Sequence, residues 1–206
     1  MERCAWCLGS QIYMDYHDRE WGVPVSDDTR QFEFLVLESA QAGLSWLTIL
    51  KKRENYRRAY RGFDPGEVAR FGPGDVDRLL GDPGIVRNRR KIEASIANAR
   101  AFLKVREEFG GFSRYLLNFT DGRILHGRRN DLSEVPARTG RSDRIAADLK
   151  RRGFGFLGGI IVYSHLQAVG VVNDHVTGCF RYAELGGTWK KAKNTRRDAC
   201  RDRRFG

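Results

Sequence analysis

Residues 142–170, SDRIAADLKRRGFGFLGGIIVYSHLQAVG, contain two helical patterns joined by a turn rich in glycine and phenylalanine. The first pattern opens on Ser142 as a cap and stops at Gly153. The second, 159–170, follows at once. Glycines at 153, 155 and 158 let backbone N–H groups come close to an anion, and the second helix turns its positive N-terminal end toward it. Phe154, Phe156 and Leu157 are expected to tuck the turn against the core. Two readings stand: a helix-hairpin-helix that grips DNA phosphate without reading sequence, or a plain glycine-rich connection between packed helices.

Outward from this stretch, helical periodicity continues. Segment 27–43, DDTRQFEFLVLESAQAG, begins with two possible Asp caps and ends at Gly43. Segment 45–60 has Ser45 as its cap. Segments 64–71 and 73–80 each have Pro near the start. Segment 87–109 carries Ile92, Ile96, Ala99 and Leu103 on one stripe. No alternating strand pattern and no repeat is visible, so the fold class is all-α. Residues 120–141 break the pattern and read as a long surface connection.

The whole chain sets the bounds. At 206 residues it can bury a sizeable apolar core as one unit. With 41% hydrophobic and 31% charged residues it reads as globular, not disordered. No stretch approaches the ~20 apolar residues of a membrane span. The opening residues MERCAWCLGS lack a signal peptide's apolar run, so a cytoplasmic location is expected. The formal charge is +11, which suits a polyanionic partner. Residues 190–206 hold eight basic and two acidic residues, so they supply +6 of it. The segment 183–206 reads as a disordered basic tail.

Two groupings carry chemistry. The first is Cys4, His17, His175 and Cys179, from four cysteines in all. His175 and Cys179, read as a helix, share a face at i, i+4. Two thiolates and two imidazoles suit tetrahedral zinc, and four protein ligands would make the site structural. A zinc ion there would staple the N-terminal segment to the C-terminal region. The alternatives are that Cys7 is the metal residue, or that these are buried thiols and a core histidine. The second grouping is aromatic: Trp6, Tyr13, Tyr16, Trp21 and Trp46. Glu38 lies within the apolar run of 27–43, so it is either on the solvent face or buried for a purpose, since an unpaired buried carboxylate is costly. A Glu beside several rings can hold a flat, cationic ring between π faces.

Taken together, MERCAW, YHDREWGVP, FEFLVLESAQAGLSW, ILKKRENYRRAY, GIVRNRRKI and VNDHVTGC resemble the 3-methyladenine DNA glycosylase I family, in order and spacing, from residue 1 to about 182. The resemblance implies a two-lobed all-α fold of the helix-hairpin-helix glycosylase type, spanning 1–182 as one unit, with the tail outside it. It implies one structural zinc on Cys4, His17, His175 and Cys179, with Cys7 outside the ligand set. It implies Glu38 as the pocket carboxylate, Tyr16 and Trp46 against the base, and Tyr13, Trp6 and Trp21 as pocket wall. Gly43 and Leu44 match the loop that enters the duplex, with Leu44 as the wedge. Gly153, Gly155 and Gly158 match the hairpin over the phosphate.

The implied activity is hydrolysis of the N-glycosidic bond of 3-methyladenine in alkylated double-stranded DNA, after the nucleotide has flipped out. No Lys lies between Gly153 and Trp189, so no amine is at hand for a lyase step and a monofunctional hydrolase is expected. Asn173 cannot act as a base. Asp174 either supports water and the sugar cation or bonds to the metal site. A monomer is expected. The rival readings are a non-catalytic helix-hairpin-helix DNA-binding zinc protein and a zinc-dependent hydrolase, which would need an open coordination position.

Overall fold

Asp27 starts the central element. Its side chain accepts from the Arg30 N–H and caps helix α2, Asp28–Gln41. All ten residues from Gln31 to Ala40 are buried, because α3, α6, α7 and α9 pack around this one helix. The computed structural model describes residues 2–186. In chain order its helices are α1 (Gln11–Arg19), α2, α3 (Trp46–Ala59), α4 (Pro65–Ala69), α5 (Pro73–Gly81), α6 (Arg89–Phe109), α7 (Phe112–Asn118), α8 (Gly140–Arg151), α9 (Gly159–Ala168) and α10 (Phe180–Glu184). Residues from 187 on, with Cys200 and most of the expected basic tail, lie outside the described residues. Among the described residues no helix is long and apolar enough to cross a membrane.

The mainly helical expectation holds, and the capping chemistry explains the boundaries. Ser45 caps α3 by accepting from the Thr48 N–H, and Asn88 caps α6 by accepting from Lys91. Gly110, at φ +73°, ends α6 in the left-handed conformation that favours glycine. Helix α8 starts earlier than expected. Thr139 is its cap, and Ser142, expected in that role, returns a hydrogen bond to the Thr139 N–H from the third position. α8 and α9 pack on each other as the expected helical hairpin, on one side of α2, while α4 and α5 pack on α6. The buried side chains of both sides form one contiguous cluster.

Three readings are corrected. Residues 173–179 are not helical. Asn173 belongs to a two-residue strand β2 (Val172–Asn173), a turn follows, and Cys179 caps α10. Turn-forming Asn173, Asp174 and Gly178 outweigh the i, i+4 coincidence. The chain is also not purely α. β2 pairs in parallel with β1 (Leu125–His126), Leu125 opposite Val172 and His126 opposite Asn173. A bridge from Arg129 to Val176 continues the pairing. Two-residue strands are too short to show alternation in sequence. Residues 120–141 are therefore tied to the segment that carries His175, and are more than a loose connection.

Candidate active site and metal centre

Trp6 stands in a turn before α1, Tyr16 on α1, Trp21 just after it, Glu38 at the end of α2 and Trp46 at the start of α3. These five surround a cavity of about 230 Å³. Trp46 lies 5.6 Å from Tyr16, and Trp6 lies 5.1 Å from Trp21 with the rings nearly perpendicular. These are ordinary edge-to-face and tilted packing distances, so the rings brace one another around the cavity they line.

Glu38 decides the electrostatics of the slot. The other buried carboxylate of α2, Glu33, is met by Arg30, Arg53 and Arg57, and buried Gln31 bonds Val25 O and the His165 ring. Glu38 is 3% exposed, and its Oε2 has no partner. Burial alone pushes its carboxyl up to about 8. The Trp46 Nε1 donor is also buried without a partner. An unpaired buried acid in an aromatic slot is arranged for a guest that brings positive charge.

Tyr13, expected in the wall, does not line the cavity. Its hydroxyl accepts from the Leu47 N–H at 2.9 Å, and its ring meets the Trp6 ring edge-on at 5.6 Å. It supports the wall from behind. Gln41, which helical spacing puts near Glu38, lines the cavity; Leu132, Val135, Ser164 and Gln167 line it too and were missed. Gln41 sits one turn after Glu38, a spacing that signals a shared face. The other four gave no signal, lying in an aperiodic segment or as polar breaks in an apolar helix.

A groove of about 540 Å³ adjoins the cavity and shares Gln41 and Ser164 with it. One side is Gly43 and Leu44; the other is Arg138 and the start of α9 at Gly158 and Gly159. Leu44 is 42% exposed. Gly43, at φ +82°, supplies the sharp exit from α2. Lys91 donates to Ala40 O at 2.9 Å and Ala42 O at 2.6 Å, the final carbonyls before that exit.

The hairpin behaves partly as expected. Phe154 and Leu157 are buried, and Gly153 takes φ +95°. Phe156 is instead exposed, with the Arg90 guanidinium over its ring. Gly155 does not offer its N–H outward. Buried Asn98 accepts that N–H at 2.7 Å and donates to Gly155 O at 3.0 Å, which clasps the turn to α6. The N–H groups at Gly158 and the first turn of α9 make no hydrogen bond among the described residues, and the Asp143 carboxylate lies against Gly159.

Cys4, His17, His175 and Cys179 converge as one buried cluster whose ligand atoms lie within 4.8 Å of one another. His17 Nδ1 donates to the Asp18 carboxylate at 2.8 Å, and His175 Nε2 donates to Trp21 O at 3.1 Å. Those acceptors fix both tautomers, leaving His17 Nε2 and His175 Nδ1 as acceptors 3.2 Å apart, with the Cys4 N–H directed at His17 Nε2 from 3.4 Å. Cys179 Sγ stands 3.4 Å and 3.5 Å from these two nitrogens, and Cys4 Sγ stands 3.6 Å from His175 Nδ1. Facing lone pairs repel unless a cation lies between them. Arg3 grips Asp18 from outside and holds its carboxyl down to about 2. Cys7 turns away and donates to Cys4 O. Asp174, two possible roles of which were open, does not bond to the cluster; it accepts from Tyr163 and Gln167.

The methyladenine glycosylase family pattern matches residues 6–182. DNA-3-methyladenine glycosylase 1 of Escherichia coli K12 is 48% identical over 88% of this chain and 97% of its own. A crystal structure of 3-methyladenine DNA glycosylase I superposes with a TM-score of 0.84 at 47% identity, over 87% of this chain and 98% of that one. A variant 3-methyladenine DNA glycosylase I solved in complex with 3-methyladenine superposes with a TM-score of 0.84 at 38% identity, over 87% and 96%.

Proposed function

The chain belongs to the methyladenine glycosylase family, and from that premise we infer that it is a DNA-3-methyladenine glycosylase, releasing 3-methyladenine from alkylated DNA. The observation that carries the reading is Glu38: an unpaired, buried carboxylate inside a slot lined by Trp6, Tyr16, Trp21 and Trp46.

The substrate nucleotide carries its positive charge on the methylated ring. When the N-glycosidic bond breaks, the base keeps the electron pair and leaves neutral. A water oxygen then bonds to C1′ of the sugar and gives up a proton to solvent, leaving an abasic site. The leaving group is already activated, so the protein has little acid chemistry to supply. Its task is to extract the base, hold it and stabilise the developing sugar cation.

Each part has a residue. Leu44, exposed on the loop after α2, fills the gap in the stack and offsets an unstacking cost of a few kcal/mol. Tyr16 and Trp46 stack on the extruded base, each such contact being worth roughly 1–3 kcal/mol. The Glu38 carboxylate faces the cationic ring. Gly158 and the α9 N-terminus hold backbone phosphate, with Gly153 shaping the hairpin. Among the described residues no Lys lines the cavity, which supports a monofunctional step.

Zinc is the metal for the four-ligand cluster. At bond lengths of about 2.3 Å to sulfur and about 2.0–2.1 Å to nitrogen, tetrahedral edges come to about 3.3 Å between nitrogens and about 3.6 Å from nitrogen to sulfur. The separations of 3.2 Å and 3.4–3.6 Å support that fit. Four protein ligands close the first shell, so the ion would supply structure and no chemistry. This argues against the zinc-hydrolase reading. A non-catalytic DNA-binding module has no use for a carboxylate in an aromatic slot.

The test is chromatography of free bases after incubation with alkylated duplex DNA. Release of 3-methyladenine with the strand left uncut supports a monofunctional glycosylase; binding without release supports the module, and cutting at the abasic site contradicts the monofunctional step.

A further inference from the structure

Asp174 is a buried carboxylate that the proposed mechanism does not use. It is 2% exposed and lines neither cavity nor groove. Its Oδ2 takes two hydrogen bonds, from Tyr163 Oη at 2.5 Å and from Gln167 Nε2 at 2.8 Å. Its Oδ1 is buried without a hydrogen-bond partner and rests against Gly127, where a Cβ would stand 1.9 Å away. Gln167 does line the cavity, on the same face of α9 as Ser164 one turn earlier.

A carboxylate only accepts hydrogen bonds. With Oδ2 facing it, the Gln167 amide has one permitted orientation: nitrogen toward Asp174, oxygen away. That oxygen accepts from no donor among the described residues. On a side chain that lines the cavity, it is free to serve beside Glu38 as a second acceptor. An acceptor favours an exocyclic amino group and opposes an oxo group, because two oxygens facing each other in a dry site leave both unsatisfied.

We propose that Asp174 is a positioning residue acting through Gln167, whose fixed carbonyl oxygen selects 6-amino over 6-oxo methylated purines, 3-methyladenine over 3-methylguanine. The proposal rests on the base-release reading above.

The experiment is a double-mutant cycle on Asp174→Ala and Gln167→Leu, with kcat/KM measured for release of both bases from methylated DNA. Each single change is expected to lower the 3-methyladenine to 3-methylguanine ratio roughly tenfold, and Asp174→Ala to add nothing once Gln167 is Leu. Tyr163→Phe, which removes one of the two donors holding Asp174, is expected to lower the ratio in the same direction by less, and serves if Asp174→Ala does not fold. Equal loss on both substrates, or an Asp174 effect that persists without Gln167, overturns the proposal as a merely structural contribution. A parent protein that releases both bases without preference overturns it while leaving the activity intact. A parent that releases neither base overturns the activity reading and this proposal together.

Discussion

Trp21 meets His175 twice: their rings lie 4.5 Å apart at 68°, and the Trp21 carbonyl oxygen accepts from His175 Nε2 at 3.1 Å. Trp21 is also cavity wall. One residue thus belongs both to the shell of the metal cluster and to the base slot. Trp6 repeats the arrangement, with its ring 5.5 Å from that of His17. The cluster joins residues 4 and 17 to residues 175 and 179, so a metal held there would keep the aromatic half of the slot in shape.

Loss of the metal should therefore cost stability first and activity as a consequence. One zinc per chain is expected by elemental analysis. Cys179→Ser should lower the unfolding free energy by several kcal/mol, since an ion bound only by the folded state adds its binding energy to folding. Chelation of the parent should lower the melting temperature and activity together. Activity lost at an unchanged melting temperature would mean a chemical role instead.

Glu38 makes both stability and turnover depend on pH. Its carboxyl is raised from 4.5 to about 8, so between those values the native state holds a proton that the unfolded chain releases. This contribution to stability is greatest below about pH 4.5 and falls as pH rises to 8. Glu38→Gln removes the fall and should stabilise the protein near pH 7 by up to about 3 kcal/mol. The ionised form is the one that attracts a cationic base, so kcat/KM should climb up to about pH 8 and then level. Denaturant titrations and rate profiles at several pH values check both signs.

Lys91 fixes the carbonyl end of α2, immediately before the exposed Leu44. Hydrogen bonds from a charged donor contribute about 1.5–3 kcal/mol. Lys91→Met should loosen the loop and lower single-turnover release from duplex DNA roughly tenfold, while binding of free 3-methyladenine stays unchanged. Equal losses in both assays would place Lys91 in the cavity's support rather than in the loop's.

Asn98 clasps Gly155 with two hydrogen bonds from a buried position. Asn98→Ala should cost about 2 kcal/mol of stability and weaken affinity for undamaged duplex, because the hairpin that presents Gly158 and the start of α9 loses its anchor. Urea unfolding and a salt-controlled binding titration measure the two effects.

Residue types that are expensive to bury were legible in the sequence. Glu38 within an apolar run, and Cys and His at the two ends of the chain, pointed to a cavity acid and a metal cluster, and the structure brings both sets together. The hairpin was legible from its glycines. Gln167 and Ser164 were not, because a polar side chain on an apolar helix carries no mark of the cavity it faces. Leu132 and Val135 were hidden in a segment without periodicity, whose placement depends on a strand pair only two residues long. The 173–179 turn was misread because i, i+4 spacing suits a tight turn as well as a helix. Gly155 was assigned to phosphate since nothing local shows that Asn98, 57 residues earlier, already holds it.

In the proposed complex a flipped, positively charged purine is held by rings with the Glu38 carboxylate against it. The most direct test is single-turnover release of 3-methyladenine from alkylated duplex DNA by the parent and by Glu38→Gln, each carrying its full zinc complement. A loss of roughly 10²-fold in rate is expected, with fold and metal content unchanged. Parent-level release by Glu38→Gln would contradict it.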